Sequence, residues 1–547
     1  MRQVRRALAV LLAFLTACPR PATVTPARSK RPKLVVLIVI DQLPTWTFER
    51  DAHLFTGGFS RLLREGAYVA AADLPYANTF TAPGHATIAT GAVPAVHGIV
   101  GNQWWRRVEG RERPAEFDVT SPMFAVGPAD GGALTTDLAA SSIALRVDGI
   151  ADILRRATLD KAHSIAIALK SRAAVLVAGR RPELAVWYER AAGGMTTSRA
   201  YARDVPPWLV DLAKTHPSKR FIGQTWAPLD AAVLPRATAI PDDAPGEGGL
   251  HGIGTAFPHV VHDAEELVHT PFADEIVLDA VYAALDAMQL GADDVPDLLA
   301  VSLEAHDYAG HNWGPESWEV LDLMLRLDVA LGRLFETLDR RLGADGWAVV
   351  LTSDHGATPL VERSPYKDAR RIPPSEIAAA AEQVLARLLG EGPWVAKVTA
   401  SQVYLTDRFP RVPEAQRGEA LRAAANAVAA LPGIAAAGRT DQIAGHCDQR
   451  RDLARAICNA IVPREAGELY VLPAQGSVIT DYKTGSGHDA PFDDNRHVPI
   501  LVKAPGLAPQ HGTGSLLQVA PTLAALLGVP PPEAATETPL FGIPARR

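Results

Sequence analysis

The sequence lacks an excess of basic charge, an internal repeat, and an apolar run near its start long enough to cross a bilayer. Lys and Arg number 54 against 61 Asp and Glu, for a formal net charge of -7. Nonspecific nucleic-acid binding needs a basic surface, so we expect no nucleic-acid partner. The absence of a repeat argues against a solenoid. With 547 residues, 48% of them hydrophobic, the chain is globular and can bury a large core.

The start of the chain has the features of a secretory signal. Three arginines in the first six residues precede an apolar stretch at 7–17, which is too short for a transmembrane helix. We therefore predict a signal peptide over residues 1–17. The protein is expected to be exported, to the periplasm or the cell envelope.

A cysteine follows this stretch. The sequence from Leu15 to Cys18 resembles a bacterial lipobox, in which the cysteine is lipidated and becomes the first mature residue. Residues 18–32, rich in Pro and basic groups, would then be an extended tether, with membrane contact only through the lipid on Cys18. The alternative is an ordinary signal peptide in which Cys18 is incidental.

Cysteine is otherwise scarce. Only Cys447 and Cys458 remain, within one local segment. In an exported protein such a pair more often forms a disulfide than a metal site, and free cytosolic thiols are the weaker alternative.

The folded part is predicted to begin at about Lys33 and to form one catalytic domain over 33–547. Strand-like apolar runs alternate with helical ones, which indicates an α/β fold with a mostly parallel sheet flanked by helices. Two long stretches carry no predicted metal ligand and are interpreted as insertions: 103–295, which is partly core, and 362–480. The second has a helix, strand and helix pattern and is predicted to be an α+β cap.

Two helices have clear sequence signals. Apolar residues at helical spacing predict one helix over 316–342. A second is predicted over 375–389, with Ser375 as its N-cap after Pro373 and Pro374.

Four apolar runs, far apart in the chain, each lie next to an Asp or a His. Buried parallel strands read as unbroken apolar runs, and α/β enzymes place their chemistry at the carboxyl ends of such strands. Carboxylates combined with imidazoles suit Zn²⁺. The candidate ligands are Asp41 after LVVLIVI, Asp307 and His311 after LLAVSL, Asp354 and His355 after WAVVLTS, and His488 ahead of HVPILV.

A candidate nucleophile lies in ANTFTAPGHATIATG, where Asn78, Thr79 and Thr81 precede a helix-compatible run at 82–89. Hydroxyls in such a place are usually N-caps. A helix N-terminus also attracts anions, so a phosphate ester could be held there. Thr81, with Pro83 in the first turn, is best placed, although its hydroxyl needs a base or a metal to remove the proton.

Together these segments resemble a known family. The strand ending in Asp41, TAPGH, the DxxxH pair, SDHG and GxGH are similar to motifs of the alkaline phosphatase superfamily. Within it, the chain most resembles the nucleotide pyrophosphatase/phosphodiesterase-like branch and its bacterial phosphate-irrepressible alkaline phosphatases, which use Thr. The resemblance extends to GNQWW, DYAGHNWGP and VAPTLAALLGVP.

This resemblance implies an alkaline-phosphatase-like core and two zinc ions, which would clamp the attacking and leaving oxygens of an in-line displacement. Attack by Thr81 would give a phosphothreonine intermediate, which is then hydrolysed. One zinc would be held by Asp307, His311 and His488, and the other by Asp41, Asp354, His355 and the Thr81 oxygen.

A basic pair indicates the substrate class. Lys170 and Arg172 follow SIAIAL and are separated by one residue, so in an extended segment their side chains lie on the same face. The plainer interpretation is that they are two exposed basic residues at a strand end. In the enzymes that this chain resembles, such a pair binds outer phosphoryl oxygens together with an Asn that matches Asn102. These donors favour a dianionic monoester, and branches specialised for diesters lack the pair. Small-molecule phosphate monoesters are therefore the expected substrates, with a phosphodiesterase or nucleotide pyrophosphatase as the alternative.

Other candidates have less support. A sulfatase needs an oxidisable Cys or Ser followed by Pro and Arg, which the TAPGH segment does not offer. A lipoprotein that only binds phosphorylated ligands predicts a gap in the ligand set, and the sequence has none. His85, His97 and the pair Trp104 and Trp105 are assigned to packing or support.

Overall fold

The apolar runs form the middle of a nine-stranded sheet. The structure is a computed structural model that describes residues 31–126, 138–192, 194–249 and 252–544. The predicted signal peptide, Cys18 and most of the predicted tether lie outside the described residues. No described helix is both long and apolar enough to span a membrane.

The main elements are numbered along the chain. The strands are β1 (Leu34–Ile40), β2 (Ala67–Asp73), β3 (Ser164–Ala168), β4 (Leu184–Glu189), β5 (Gly194–Thr196), β6 (Asp297–Leu303), β7 (Trp347–Thr352), β8 (Val395–Thr399), β9 (Gln402–Leu405), β10 (Ile434–Arg439), β11 (Leu469–Pro473), β12 (His497–Lys503) and β13 (Gln510–Gly512). The helices are α1 (Thr45–Asp51), α2 (Gly58–Glu65), α3 (Thr81–Thr90), α4 (Ile150–Thr158), α5 (Ser171–Ala178), α6 (Pro207–Thr215), α7 (Pro271–Ala287), α8 (Ala305–Trp313), α9 (Trp318–Leu342), α10 (Pro374–Leu389), α11 (Glu414–Ala429), α12 (Asp452–Ala460) and α13 (Val519–Leu527).

The main sheet is mostly parallel, as predicted. Its strand order is β13-β2-β12-β7-β1-β6-β3-β4-β5, and only β12 and β5 run against their neighbours. The central strand β1 pairs in parallel with β6 on one side and β7 on the other. Three of the nine strands, β3 to β5, come from the stretch 103–295, so that stretch is part of the sheet itself.

Both faces of the sheet are covered, which explains the unbroken apolar sequence of β1. Val36 and Ile38 pack into a core that includes α7 and α9. Leu37 and Val39 point the other way, into a core that includes α3, α5 and α13. Because each side of β1 is buried, alternation between apolar and polar residues is absent.

Both predicted helices form, but one predicted cap is wrong. The helix α9 begins at Trp318 after Ser317, whose side chain accepts a hydrogen bond from the Val320 N–H. The helix α10 begins at Pro374, so Ser375 lies inside it and caps nothing. Proline has a fixed φ and no N–H, which suits it to the first position of a helix.

The second insertion has its own core. Helices α10 and α11 pack on the sheet β8-β9-β11-β10. The run AKVTASQVYL, predicted as one strand, is a hairpin of β8 and β9 instead. Its turn residues, Ala400 and Ser401, have φ values of 50° and 56°, a region that non-glycine residues seldom adopt. The sequence therefore carries no turn signal.

The cysteine pair is a disulfide. Cys447 and Cys458 are bonded with a Cα–Cα distance of 5.5 Å, which confirms the predicted pairing. The bond ties a short turn to α12.

Candidate bimetallic active site

The direction of the strands explains why distant ligands meet at one edge. The strands β1, β6 and β7 run in the same direction and end at this edge. Because β12 is antiparallel to β7, its beginning lies where its neighbours end. A ligand ahead of β12 therefore meets ligands that follow the other strands. The six predicted ligands lie in these connections: Asp41, Asp307, His311, Asp354, His355 and His488.

Three of them form one buried group. Asp41, Asp354 and His355 are fully buried, and one ligand atom from each lies within 4.8 Å of the other two. His355 Nε2 is 3.4 Å from Asp41 Oδ1 and 3.6 Å from Asp354 Oδ2. We call this group the aspartate trio.

The other three form a second group, the histidine trio. Asp307 and His311 lie one turn apart on α8, with His311 Nε2 3.3 Å from Asp307 Oδ1. His488 Nε2 is 3.2 Å from His311 Nε2 and 3.8 Å from Asp307 Oδ1. The two trios contain the same residues that the resemblance assigns to two zinc ions.

The hydrogen bonds of the three imidazoles fit cation binding. His311 Nδ1 bonds the Ser486 carbonyl and His355 Nδ1 bonds the Gly356 carbonyl, each at 2.9 Å, while His488 Nδ1 bonds the Thr79 carbonyl. Carbonyl oxygens only accept, so Nδ1 carries the proton in each neutral ring and Nε2 presents a lone pair.

These lone pairs face carboxylate oxygens and one another, an arrangement that a cation between them would stabilise. In the aspartate trio, Asp41 Oδ1 and His355 Nε2 are buried and have no hydrogen-bond partner among the described residues. Burying such atoms unpaired is costly, whereas a metal bound by histidines oriented through Nδ1 would satisfy them.

The trios adjoin. The rings of His355 and His488 stack with centroids 3.9 Å apart, so one histidine of each trio touches the other. Lys170 Nζ lies 2.6 Å from Asp41 Oδ2 and also bonds Asp307 Oδ2. Both groups therefore belong to one site.

Two of the candidate ligands, Asp41 and His488, have pKa values that suit metal binding at neutral pH. Burial, together with the carboxylates of Asp307 and Asp354, raises the pKa of Asp41 to about 6. Burial and the neighbouring His355 hold the pKa of His488 well below its usual range. At neutral pH the site thus combines an ionised carboxylate with a neutral imidazole, which are the forms that bind metal.

Lys170 and Arg172 meet the site from a helix N-terminus, so the prediction that they share an extended segment is wrong. Lys170 is the N-cap of α5, and Arg172 lies in its first turn. The apolar run that follows, AAVLVA, continues as helix and carries Arg172 with it. Burial lowers the pKa of Arg172, but Tyr308, Glu116, Asp41 and Asp307 raise it, and the net shift of the pKa is upward.

Thr81 is the first residue of α3, and the N-cap is Phe80. The prediction that a hydroxyl of this segment caps the helix is therefore wrong, because Thr79 Oγ1 instead donates to the His488 carbonyl. Thr81 Oγ1 lies 3.5 Å from Asp41 Oδ2. Gly84 lets α3 lie against Asp354, since a Cβ at position 84 would lie 2.6 Å from Asp354 Cβ.

Asn102 lies at the same helix end. Its Oδ1 accepts a hydrogen bond of 2.8 Å from the Ala82 N–H, which leaves its Nδ2 as the donor for a ligand.

His85 supports the site from within α3, as expected: its Nδ1 lies 3.2 Å from Asp354 Oδ2, and its Nε2 bonds Ser302 Oγ at 2.7 Å. His97 and Trp104 are buried in packing and hydrogen bonds away from the trios.

Sequence reasoning missed three residues around the ligands. Gln42 Nε2 donates to Asp307 Oδ1 at 2.7 Å, and its backbone N–H bonds Asp354 Oδ1. Burial raises the pKa of Glu304 to about 8, and its Oε2 accepts from the Leu169 N–H at 2.6 Å. His306 Nδ1 bonds the Asp41 carbonyl. Each stands within three residues of a predicted ligand, which is the signal that could have identified it.

The fold and the paired trios define an α/β phosphoester hydrolase of the alkaline phosphatase type. A model of the type I phosphodiesterase/nucleotide pyrophosphatase family matches residues 35–498. The chain belongs to that family, which confirms the resemblance read from its motifs.

Relatives match over almost the whole chain. Alkaline phosphatase PafA of Elizabethkingia meningoseptica is 28% identical over 94% of this chain and 95% of its own. Alkaline phosphatase PhoV of Synechococcus elongatus is 29% identical over 93% and 92%. The crystal structure of wild type PafA covers 94% of this chain and 99% of its own, with a TM-score of 0.85 at 27% identity. The predicted alkaline-phosphatase-like fold is thus confirmed.

Proposed function

We propose that this chain is a zinc-dependent hydrolase of phosphate monoesters that acts through a phosphothreonine at Thr81. The observation that carries the proposal is the position of the Thr81 hydroxyl, 3.5 Å from Asp41 of the aspartate trio and at the start of α3. The names of the relatives, alkaline phosphatases that match more than nine-tenths of this chain, support the phosphatase activity.

Two zinc ions fit the donor sets. The histidine trio offers two imidazoles and a carboxylate, and the aspartate trio offers one imidazole, two carboxylates and the adjacent Thr81 oxygen. Zinc in these positions would act as a Lewis acid, lowering the pKa of a hydroxyl and neutralising charge on the ester oxygens.

The protein groups have separate tasks. Thr81 Oγ1 loses its proton and forms the new bond to phosphorus, while the ester oxygen leaves on the opposite side as the alcohol. Water then hydrolyses the phosphothreonine and restores the hydroxyl. The Nδ2 of Asn102, whose Oδ1 accepts from the Ala82 N–H, holds a phosphoryl oxygen.

Lys170 and Arg172 favour monoesters over diesters. Lys170 Nζ bonds Asp41 and Asp307 from the start of α5, and Arg172 Nε, in the first turn of the same helix, has no hydrogen-bond partner among the described residues. A monoester dianion offers them one charge more than a diester. Hydrolysis of phosphodiesters is the second candidate function, because the family is named for phosphodiesterases. The ratio of the rates on phenyl phosphate and methyl phenyl phosphate distinguishes a monoesterase from a diesterase. A strong preference for the diester would reject the monoesterase assignment.

The nucleophile is tested by Thr81→Val. We expect this variant to bind two zinc ions per chain and to lose nearly all turnover, with no labelled phosphoprotein after acid quenching. The matched control is Thr90→Val, at a buried threonine of the same helix whose hydroxyl bonds the Ala86 carbonyl. Undiminished hydrolysis by Thr81→Val would remove Thr81 from the mechanism.

Export and lipid anchoring complete the proposal, supported by the signal-like start and the residues ahead of Cys18. Metabolic labelling with a fatty acid should mark the wild-type protein and not Cys18→Ser. If the wild type takes up no label, the lipid anchor is rejected and a free periplasmic protein remains.

A further inference from the structure

A cavity of 460 Å³ lies between the core and the cap, and we call it the cap pocket. Four segments form its wall: the hairpin that follows Asn102, the start of α10, the strand β8 with its turn, and the segment 479–489. The lining includes Gln103, Glu112, Lys397, Ser401, Asp481 and Asp489.

Two residues that line the cap pocket are chain neighbours of proposed catalytic-site residues. Gln103 follows Asn102, the proposed phosphoryl ligand, and Asp489 follows His488 of the histidine trio. In an in-line displacement the leaving oxygen is opposite the nucleophile. Thr81 adjoins the aspartate trio, so the alcohol leaves on the side of the histidine trio, which is the side of this pocket.

Close contacts join the cap to the core along the pocket wall. A Cβ at Gly101 would lie only 2.7 Å from the Ala400 Cβ, so the glycine lets the cap turn press against the loop that carries Asn102. Lys397 Nζ and Glu112 Oε2 form an ion pair of 2.9 Å across the same boundary. The core and the cap are therefore in direct contact along the pocket, and both contribute to its wall.

The polar side chains that line the pocket are mainly carboxylates and hydroxyls. Its carboxylates are Glu112, Asp481 and Asp489, and its one cation, Lys397, is already paired with Glu112. The Ser401 hydroxyl is buried and has no hydrogen-bond partner among the described residues. None of the described lining residues is aromatic, so a nucleobase would find no ring on which to stack.

This chemistry discriminates between alcohols. Carboxylates accept hydrogen bonds from hydroxyls, and an unpartnered serine can donate or accept one. A second phosphate or a carboxylate on the substrate would meet like charges there. A neutral alcohol with several hydroxyls would satisfy the pocket without that repulsion.

We propose that the cap pocket binds the alcohol part of the ester and selects neutral, hydroxyl-rich alcohols, so that sugar and polyol monophosphates are preferred over esters that carry a second anionic group. This inference rests on the proposed monoesterase function and specifies the substrate class of that site.

The test compares sorbitol 6-phosphate with 6-phosphogluconate, which differ by a carboxylate in place of a terminal hydroxymethyl group. Phenyl phosphate serves as the reference monoester. For the wild-type enzyme we expect kcat/KM to be roughly tenfold higher on sorbitol 6-phosphate than on 6-phosphogluconate. Asp481→Lys should lower that ratio to about one third or less, with phenyl phosphate turnover within about twofold of wild type.

Two further variants sharpen the comparison. Ser401→Ala should raise KM for sorbitol 6-phosphate by about three- to tenfold, as expected for one lost hydrogen bond, without a matching change for phenyl phosphate. The control is Asp345→Asn, at an exposed aspartate two residues ahead of β7 and so at the opposite edge of the sheet, which should leave every ratio unchanged.

The outcomes separate the two proposals. A protein that hydrolyses phenyl phosphate but gives a sorbitol-to-gluconate ratio near one, or a ratio that Asp481→Lys does not change, contradicts the cap-pocket inference and leaves the monoesterase intact. A protein inactive on all three monoesters contradicts the proposed function itself.

Discussion

Replacing Arg172 with alanine tests whether this residue favours a phosphate monoester, with two negative charges, over a diester with one. Arg172 lies in the first turn of α5, and no ion pair engages its guanidinium within the described ranges of the chain. A hydrogen bond that involves a charged group contributes about 1.5–3 kcal/mol. At roughly tenfold per 1.4 kcal/mol, the loss in kcat/KM on phenyl phosphate should be about 10- to 150-fold.

The loss should be smaller on a diester. Methyl phenyl phosphate has the same leaving group and one negative charge fewer, so the guanidinium has less to stabilise. Arg172→Lys should restore only part of the monoester rate, because an ammonium cannot make the two parallel bonds of a guanidinium.

Steady-state kinetics on both esters measure the effect, with zinc content checked for each variant. Arg180→Ala is the matched control: Arg180 follows the other end of α5, is exposed, and pairs with Asp148 at 3.2 Å. Equal losses on the monoester and the diester would refute the reasoning, because Arg172 would then act on folding or on general binding.

Three further predictions concern stability and metal affinity. Burial raises the pKa of Asp274 from 3.8 to about 7. The contribution of Asp274 to stability is therefore complete below pH 3.8 and is lost as the pH rises through 7. At pH 9, Asp274→Asn should be more stable than the wild type, by at most roughly 4 kcal/mol. Denaturant melts at pH 5 and pH 9 check this, and a gain no larger at pH 9 than at pH 5 would contradict it. Gln42→Ala removes the donor to Asp307 and should weaken zinc binding by about 10- to 100-fold in chelator competition, whereas unchanged affinity would show that Gln42 does not orient the ligand. Cys458→Ser opens a loop with a sequence separation of 11 and should lower the unfolding free energy of the cap by up to about 3 kcal/mol, which hydrogen exchange confined to the cap can measure; equal protection of the cap in both proteins would contradict it.

The residues that meet at this edge of the sheet could be predicted because their sequence signals are local. Asp41 and Asp354 each follow an apolar run, and such runs are buried strands of the sheet. His488 was the harder case, since it precedes its strand. It reaches the same edge only because β12 is antiparallel to β7, a fact about pairing that no local pattern contains.

What could not be predicted depends on contacts between distant segments. The turn at Ala400 and Ser401 lacks the glycine that usually marks a positive φ, so β8 and β9 were read as one strand. Phe80 caps α3 with its backbone alone, because the nearby Thr79 hydroxyl bonds the His488 carbonyl instead. The cap pocket arises where the loop at Gly101 meets that turn, almost 300 residues later in the chain.

The central claim is that two adjoining trios each hold a zinc ion beside Thr81. Anomalous X-ray diffraction at the zinc absorption edge, from crystals of the purified protein, tests it most directly. The account predicts two peaks, one ligated by Asp307, His311 and His488 and the other by Asp41, Asp354 and His355. A single peak, or a structure in which Asp41 and His488 lie in separate pockets, would contradict it.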